Sequence, residues 1–100
     1  MVLSVGQQQR LAVARVLLVK PELVFLDEAT SALDAHNEEQ VYRLLKDVCP
    51  TLVSVGHRLA LLDSHDLVLW RRDRQRADDI ETWELMTASD YRMRRSEEGI

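Results

Sequence analysis

Glycine is scarce: this 100-residue chain has three, Gly6, Gly56 and Gly99. No phosphate cradle of the form G-x-x-x-x-G-K-[ST] can be built from them. A single cysteine, Cys49, excludes an internal disulfide and fits a reducing compartment. Long hydrophobic runs are missing as well. The longest nearly apolar stretch, "LAVARVLLV", is too short to span a bilayer and carries Arg15 in its middle. Its position near Met1 invites a signal-peptide reading, but polar "GQQQR" precedes it and no small-residue cleavage site follows. Excess positive charge is also absent. The net charge is −4, so no broad attraction to nucleic acid is expected. No segment is low-complexity or repeated.

What remains is an ordinary globular composition, 46% hydrophobic and 30% charged, enough for one small domain with a modest core. The pattern predicts a helix from about Gly6 to Val19, with Ser4 as N-cap and Pro21 just past its end. From Leu11 onward that helix is apolar nearly all round and is expected to be mostly buried. "ELVFLD" reads as a fully buried strand, short and without polar alternation. "EATSALD" is a loop, and Asp34 caps a second helix from about Ala35 to Val48. Val41, Leu44, Leu45 and Val48 give that helix one apolar face, and Pro50 stops it. "TLVSV" is a second buried strand. Strand, helix and strand make a βαβ unit with parallel strands and a right-handed crossover. A short helix near Leu59 to Asp63 and a strand "DLVLW" follow. "RRDRQRADD" sets four arginines among the acids Asp73, Asp78, Asp79 and Glu81, which reads as a solvated turn and not as a nucleic-acid contact. "IETWELM" reads as a last strand and "SDYRMRR" as a terminal helix.

In open α/β sheets, ligands sit at the carboxyl ends of the strands. Asp27 and Glu28 end one strand, and His57 follows the end of its parallel neighbour. Each residue alone is ordinary, since adjacent acids often do no more than cap a loop. Together, on one rim, two carboxylates and a histidine suit a phosphate and metal site.

"LSVGQQQRLAVARVLLVKPELVFLDEATSALD" resembles the signature and Walker B region of the ABC-type ATPases, and "LVSVGHR" resembles their H-loop. The wording is most similar to the exporter branch that includes peroxisomal fatty-acyl transporters and their bacterial relatives. The match runs from Leu3 to about Trp70, with several motifs in family order at family spacing. The resemblance implies ATP and Mg²⁺ as cofactors. It implies Asp27 as the Walker B aspartate that holds Mg²⁺ through its water shell, since that hard ion suits carboxylate oxygen and keeps several waters. Glu28 is then the general base that orients the attacking water, and His57 the switch histidine that donates to the γ-phosphate. Ser31 and Asp34 fall in the D-loop, which crosses a dimer interface in this family. Ser4, Gly6 and Gln7 open a helix whose free N–H groups favour an anion, in the family the γ-phosphate held by the opposite subunit. The usual wording is LSGGQ. Val5 replaces the first glycine here, and Gly6 is retained.

The implied fold is α/β: a partial P-loop NTPase, a three-layer sandwich with parallel strands, its P-loop strand missing. In the family that strand lies between the H-loop strand and the one resembling "DLVLW", so an edge of "TLVSV" is expected to be unpaired. Residues 1–100 then form the C-terminal part of an ABC ATPase domain cut short at Met1, with 71–100 as an extension beyond the resemblance. The implied partners are a second ABC ATPase domain, in a head-to-tail dimer, and a fused or separate transmembrane domain, at the cytoplasmic face of a membrane. Two alternatives stand beside this. One is a non-transport ABC ATPase, against which "SALD" and "VGHR" speak. The other is a degenerate or regulatory fragment without catalysis.

Overall fold

The computed structural model describes residues 2–72 and 82–97. The chain divides into two compact units, Met1–Ser64 and His65–Ile100.

In the first unit, helix α1 (Val5–Val19) begins with a capping box. The Ser4 hydroxyl accepts from the Gln7 N–H, and the Ser4 N–H donates to the Gln7 side chain. It ends at Lys20, left-handed at φ 53, whose N–H still reaches the Val16 carbonyl at 2.8 Å; Pro21 cannot continue the helix. Strands β1 (Leu23–Asp27) and β2 (Thr51–Val55) pair in parallel, in register from Leu23↔Thr51 to Asp27↔Val55. Helix α2 (Ala35–Val48) connects them, with the Asp34 carboxylate accepting from the Asn37 N–H at 2.8 Å as its N-cap. The βαβ reading and both caps therefore stand. Among the described residues β2 pairs only with β1, so its far edge is open, as expected.

Both helices pack on one sheet face. Val13 of α1 and Tyr42 and Leu45 of α2 close over Leu26, with Val24 and Leu52 beside them. This corrects three expectations. Neither strand is fully buried. Side chains alternate, and Leu23, Phe25, Val53 and Val55 lie on an uncovered face, Phe25 with 72% of its surface exposed. Helix α1 is not mostly buried: Val13 alone is, while Leu18 is 84% exposed. The buried line of α2 is Glu38, Tyr42 and Leu45, continued by the C-cap Cys49, and Leu44 points outward at 51% exposure. For the strands and α1 the physical reason is the same: one layer covers one face, so an apolar pattern written for two covered faces leaves half its residues open. In α2 the covered line instead runs through Glu38 and Tyr42, whose polar atoms find hydrogen-bond partners. The α/β class and parallel pairing stand. Within this unit the helices and sheet make two layers.

A 3-10 helix, Leu59–Ser64, follows Gly56. A Cβ at Gly56 would lie 2.4 Å from Leu61 Cδ1, and Leu61 packs against the core, so any side chain there must displace it.

In the second unit, β3 (Leu67–Arg72) and β4 (Thr82–Thr87) are antiparallel, in register from Leu67↔Thr87 to Arg72↔Thr82, and α3 (Ala88–Glu97) packs on them. Trp70 meets Tyr91 edge to face at 5.4 Å, and Arg94 pairs with Glu84. The Thr87 hydroxyl accepts from the Asp90 N–H at 3.1 Å and caps α3. All three sequence-expected elements are present. Arg71 and Arg72 of the expected turn extend β3; the rest of it, residues 73–79, and Ile80 and Glu81 of the expected last strand lie outside the described residues.

Tyr42 generates a test. Its phenol is buried and donates to the Ser54 hydroxyl at 2.9 Å. Burial pushes its pKa above 10.0, the Ser54 hydrogen bond opposes the rise, and the negative charges of Glu38 and Glu28 add to it. The folded state therefore holds this proton more tightly than the unfolded one. Stability is unaffected by this group below the unfolded pKa and falls as pH rises through it toward the folded value. Denaturant titrations should show this loss above pH 10.0, and Tyr42→Phe should remove Tyr42's share of the slope while costing about 1 kcal/mol at neutral pH for the lost hydrogen bond. An unchanged alkaline slope in the variant would show that Tyr42 is not its source.

Candidate functional site

The loop between β1 and α2 starts with Glu28, the acid next to the end of β1. Its φ is +52, a left-handed conformation that bulky residues adopt at a cost. Hydrogen bonds hold it on both sides. Its N–H donates to the Val55 carbonyl at 2.9 Å, extending the parallel ladder, and its carbonyl accepts from the Ser31 N–H at 3.2 Å. In-register pairing brings the ends of β1 and β2 together, and His57 Nε2 lies 2.9 Å from Glu28 Oε1. A carboxylate only accepts, so the ring donates from Nε2. The histidine side chain is 89% exposed and the carboxylate 37%.

Asp27 is exposed and, by strand alternation, shares the uncovered sheet face with Phe25. The three expected rim residues thus lie at one end of the sheet. Among the described residues no three His, Cys, Asp or Glu side chains come together as a metal cage. Asp27 contributes a single exposed carboxylate to this rim.

The other expected residues have local partners. Ser4 and Gln7 are engaged in the capping box of α1. Val5 opens the helix with φ outside the positive region, so its β-branch is accommodated without strain. A Cβ at Gly6 would meet the Ala32 carbonyl at 3.9 Å, ordinary contact, which places the start of α1 against the loop. Asp34 serves as the α2 N-cap. Ser31 Oγ accepts from Gln9 Nε2 at 3.0 Å.

Four residues that sequence reasoning passed over hold this loop. Gln9 reaches from α1 to donate to the Glu28 carbonyl at 3.1 Å, and its own carbonyl accepts from the Ala32 N–H at 3.0 Å. Arg58 donates to the carbonyls of Leu33 at 2.7 Å and Ser31 at 2.6 Å, and to the Glu38 carboxylate at 3.2 Å. The Thr30 hydroxyl donates to the same Glu38 oxygen at 2.7 Å. Thr30 and Glu38 are buried. One signal was readable: Glu38 falls four residues before Tyr42 and seven before Leu45, an acid in a buried helical line.

Truncating Arg58 leaves Glu38 buried with Thr30 alone. Arg58→Met should cost about 2 kcal/mol in a denaturation experiment, less than a fully buried pair because 40% of the Arg58 side chain is exposed. The further change Glu38→Gln in that background should recover part of the loss. Equal stability of Arg58→Met and the wild type would show that Glu38 needs no cation.

The family model for ABC transporter matches residues 1–31. Over 64 residues, 64% of the chain, it is 53% identical to an ABC transporter ATP-binding protein of Synechocystis. Over 68 residues, 68% of the chain, it is 50% identical to ABC transporter D family member 2, chloroplastic, of Arabidopsis thaliana. Over 69 residues, 67% of the chain, it is 48% identical to heavy metal tolerance factor 1 of Caenorhabditis elegans. These alignments cover 10%, 10% and 9% of the respective relatives, so the chain spans about a tenth of the length of the curated relatives it matches. With identity near one half across two thirds of its residues, the chain belongs to the ABC transporter family, as a piece of the ATP-binding domain of its exporter branch.

Proposed function

We propose that the chain supplies the water-activating and partner-facing parts of an ABC-type ATPase that powers membrane transport. The observation that carries this is the meeting of Glu28 and His57 at the matching ends of parallel strands, beside Asp27. ATP is the substrate and Mg²⁺ its companion ion, held on the protein side by Asp27. Mg²⁺ supplies neutralisation of phosphate charge when bound. Phosphoryl transfer is mostly positioning and charge stabilisation. When nucleotide is seated, His57 turns its N–H from Glu28 to a γ-phosphate oxygen. Glu28, released, accepts a hydrogen bond from the attacking water and then its proton. The water oxygen bonds to phosphorus as the bond to the ADP oxygen breaks.

The phosphate cradle lies outside this sequence, which has no G-x-x-x-x-G-K-[ST] stretch. The open face formed by Leu23, Phe25, Val53 and Val55 gives that part of the ATPase a surface to cover, completing a three-layer sandwich. Asp27 on the same face puts its carboxylate toward that layer. Ser4, Gly6 and Gln7 at the start of α1 present helix N–H groups to the γ-phosphate on a second ATPase domain in a head-to-tail dimer. Ser31 and Asp34 lie in the loop that faces this partner. No helix among the described residues is long and apolar enough to cross a membrane. In this reading the transport path is supplied by a fused or separate transmembrane domain, with the ATPase at its cytoplasmic face. Residues 71–100 form an extension beyond the part that does this work.

In the complete ATPase, Glu28→Gln should retain ATP binding and lower steady-state turnover on the order of 10²-fold or more. His57→Ala should act in the same direction. Phosphate-release assays check both, and unchanged turnover in the two variants would mean that other groups do the chemistry. The 100-residue chain by itself should show no Mg²⁺-dependent ATPase above buffer, since nothing in it places water in line with a phosphorus atom. Activity of the isolated chain, abolished by Glu28→Gln, would reveal a phosphate cradle of another kind.

A further inference from the structure

The three consecutive glutamines have three different engagements. Gln7 closes the capping box of α1, and Gln8 donates to the Leu3 carbonyl at 3.2 Å. Of the three, Gln9 reaches the loop after β1. Its Nε2 donates to the Glu28 carbonyl at 3.1 Å and to Ser31 Oγ at 3.0 Å, and its Oε1 accepts from the Ala32 N–H at 3.0 Å. Both amide hydrogens and the carbonyl are thus used, and the orientation of the amide is fixed by the Ala32 donor on one side and the Glu28 acceptor on the other. Glu28 itself sits at φ +52, where the backbone needs outside support. That support comes from two directions: β2 holds its N–H through Val55, and α1 holds its carbonyl through Gln9.

We propose that Gln9 is a positioning residue that ties helix α1 to Glu28, so that seating a phosphate at the N-terminus of α1 sets the Glu28 carboxylate for attack on a different nucleotide. This rests on the reading of Glu28 as the base and of the α1 N-terminus as a contact to the second domain's ATP. In that dimer, each α1 start meets one nucleotide and each Glu28 serves the other. Within a single chain the two are then joined by one side chain. A helix is stiff along its axis, and Gln9 is on its second turn, so a shift of the helix start moves the Gln9 amide with it. The three hydrogen bonds carry that shift to Glu28, Ser31 and Ala32 together. Gln9 touches neither the reacting atoms nor the phosphates, so its removal should affect the chemical step and leave nucleotide affinity alone.

The test uses the complete ATPase and three variants: Glu28→Gln, Gln9→Met and Gln9→Glu. Methionine keeps the length of glutamine and has no strong donor or acceptor. Glutamate keeps the acceptor for the Ala32 N–H and loses both donors. Turnover, ATP affinity, thermal midpoint and hydrogen exchange at the Ala32 amide are measured on each. In Gln9→Met, turnover should fall roughly tenfold or more while ATP affinity stays within about twofold, the signature of a lost positioning contact. Exchange at Ala32 should rise in Gln9→Met and stay protected in Gln9→Glu, and turnover should fall in both. If Gln9→Met does not fold, the same loss of turnover at unchanged affinity in Gln9→Glu supports the proposal. Wild-type turnover in the folded Gln9 variants, with loss in Glu28→Gln, overturns the proposal and leaves the reading of the site intact. Parallel losses of affinity and turnover also overturn it. Wild-type turnover in Glu28→Gln overturns the reading and the proposal together.

Discussion

The arrangement of the site depends on burying one carboxylate. Glu38 has 4% of its surface exposed, on the inner line of α2. A buried charge without partners is far costlier than the helix can tolerate. Arg58 and the Thr30 hydroxyl meet that demand at one oxygen, Oε2. Once Arg58 is held there, the rest of its guanidinium collects the carbonyls of Ser31 and Leu33. The loop after β1 is thereby fastened to the segment after β2. His57 is the neighbour of Arg58 in the chain, so fixing Arg58 also fixes where His57 starts. The contact between His57 and Glu28 thus starts from a residue held by the Arg58–Glu38 pair, half-exposed on the Arg58 side.

The same logic explains how much the sequence disclosed. Caps, proline stops and the βαβ order are local or nearest-neighbour features, and they were legible: Ser4, Asp34 and Pro21 do what their chemistry suggests. The positions of Asp27, Glu28 and His57 at one rim were legible too, because parallel pairing in register leaves little freedom. Burial was not. "LVFLD" has no alternation, so nothing in its letters says that Leu26 is covered and Phe25 is open. The α2 face was misjudged by favouring aliphatic residues. The buried line runs through Glu38 and Tyr42, whose polar atoms are satisfied by Arg58, Thr30 and Ser54, partners far away in sequence. The Gln9 clamp was hidden for the same reason, since the side chain spans nineteen to twenty-three positions to reach its partners.

Glu28 shows how local cost and chemistry are reconciled. A left-handed backbone favours glycine, and a glutamate there costs on the order of 1–2 kcal/mol. A glycine would relieve that cost and carry no carboxylate. The fold keeps the acid and surrounds its peptide groups with the Val55 carbonyl, the Ser31 N–H and the Gln9 amide. Each of these lies on a different segment, so the conformation is over-determined and does not rest on the preference of the residue itself. Strain that is held in this way also orients a side chain more narrowly than a relaxed loop does. That is the property a base needs if it is to place one water in line with one phosphorus atom.

The uncovered sheet face ties stability to function in the proposed assembly. Leu23, Phe25, Val53 and Val55 together leave a contiguous apolar surface beside Asp27. Burying such a surface is favourable in proportion to the area removed from water, so any layer that covers it contributes to folding. It also lowers the local dielectric around Asp27 and Glu28, which strengthens their interaction with a cation and makes it more dependent on one being there. The polypeptide that brings the phosphate cradle is the natural source of that layer. Its docking would then do two things at once: close the core over Phe25, and bring phosphate oxygens to the strand ends where Asp27, Glu28 and His57 wait. A site divided in this manner has its two carboxylates and His57 on one part and the phosphate cradle on another. Asp27 finds its counter-charge only on docking, and the assembled pair places each charge opposite a partner.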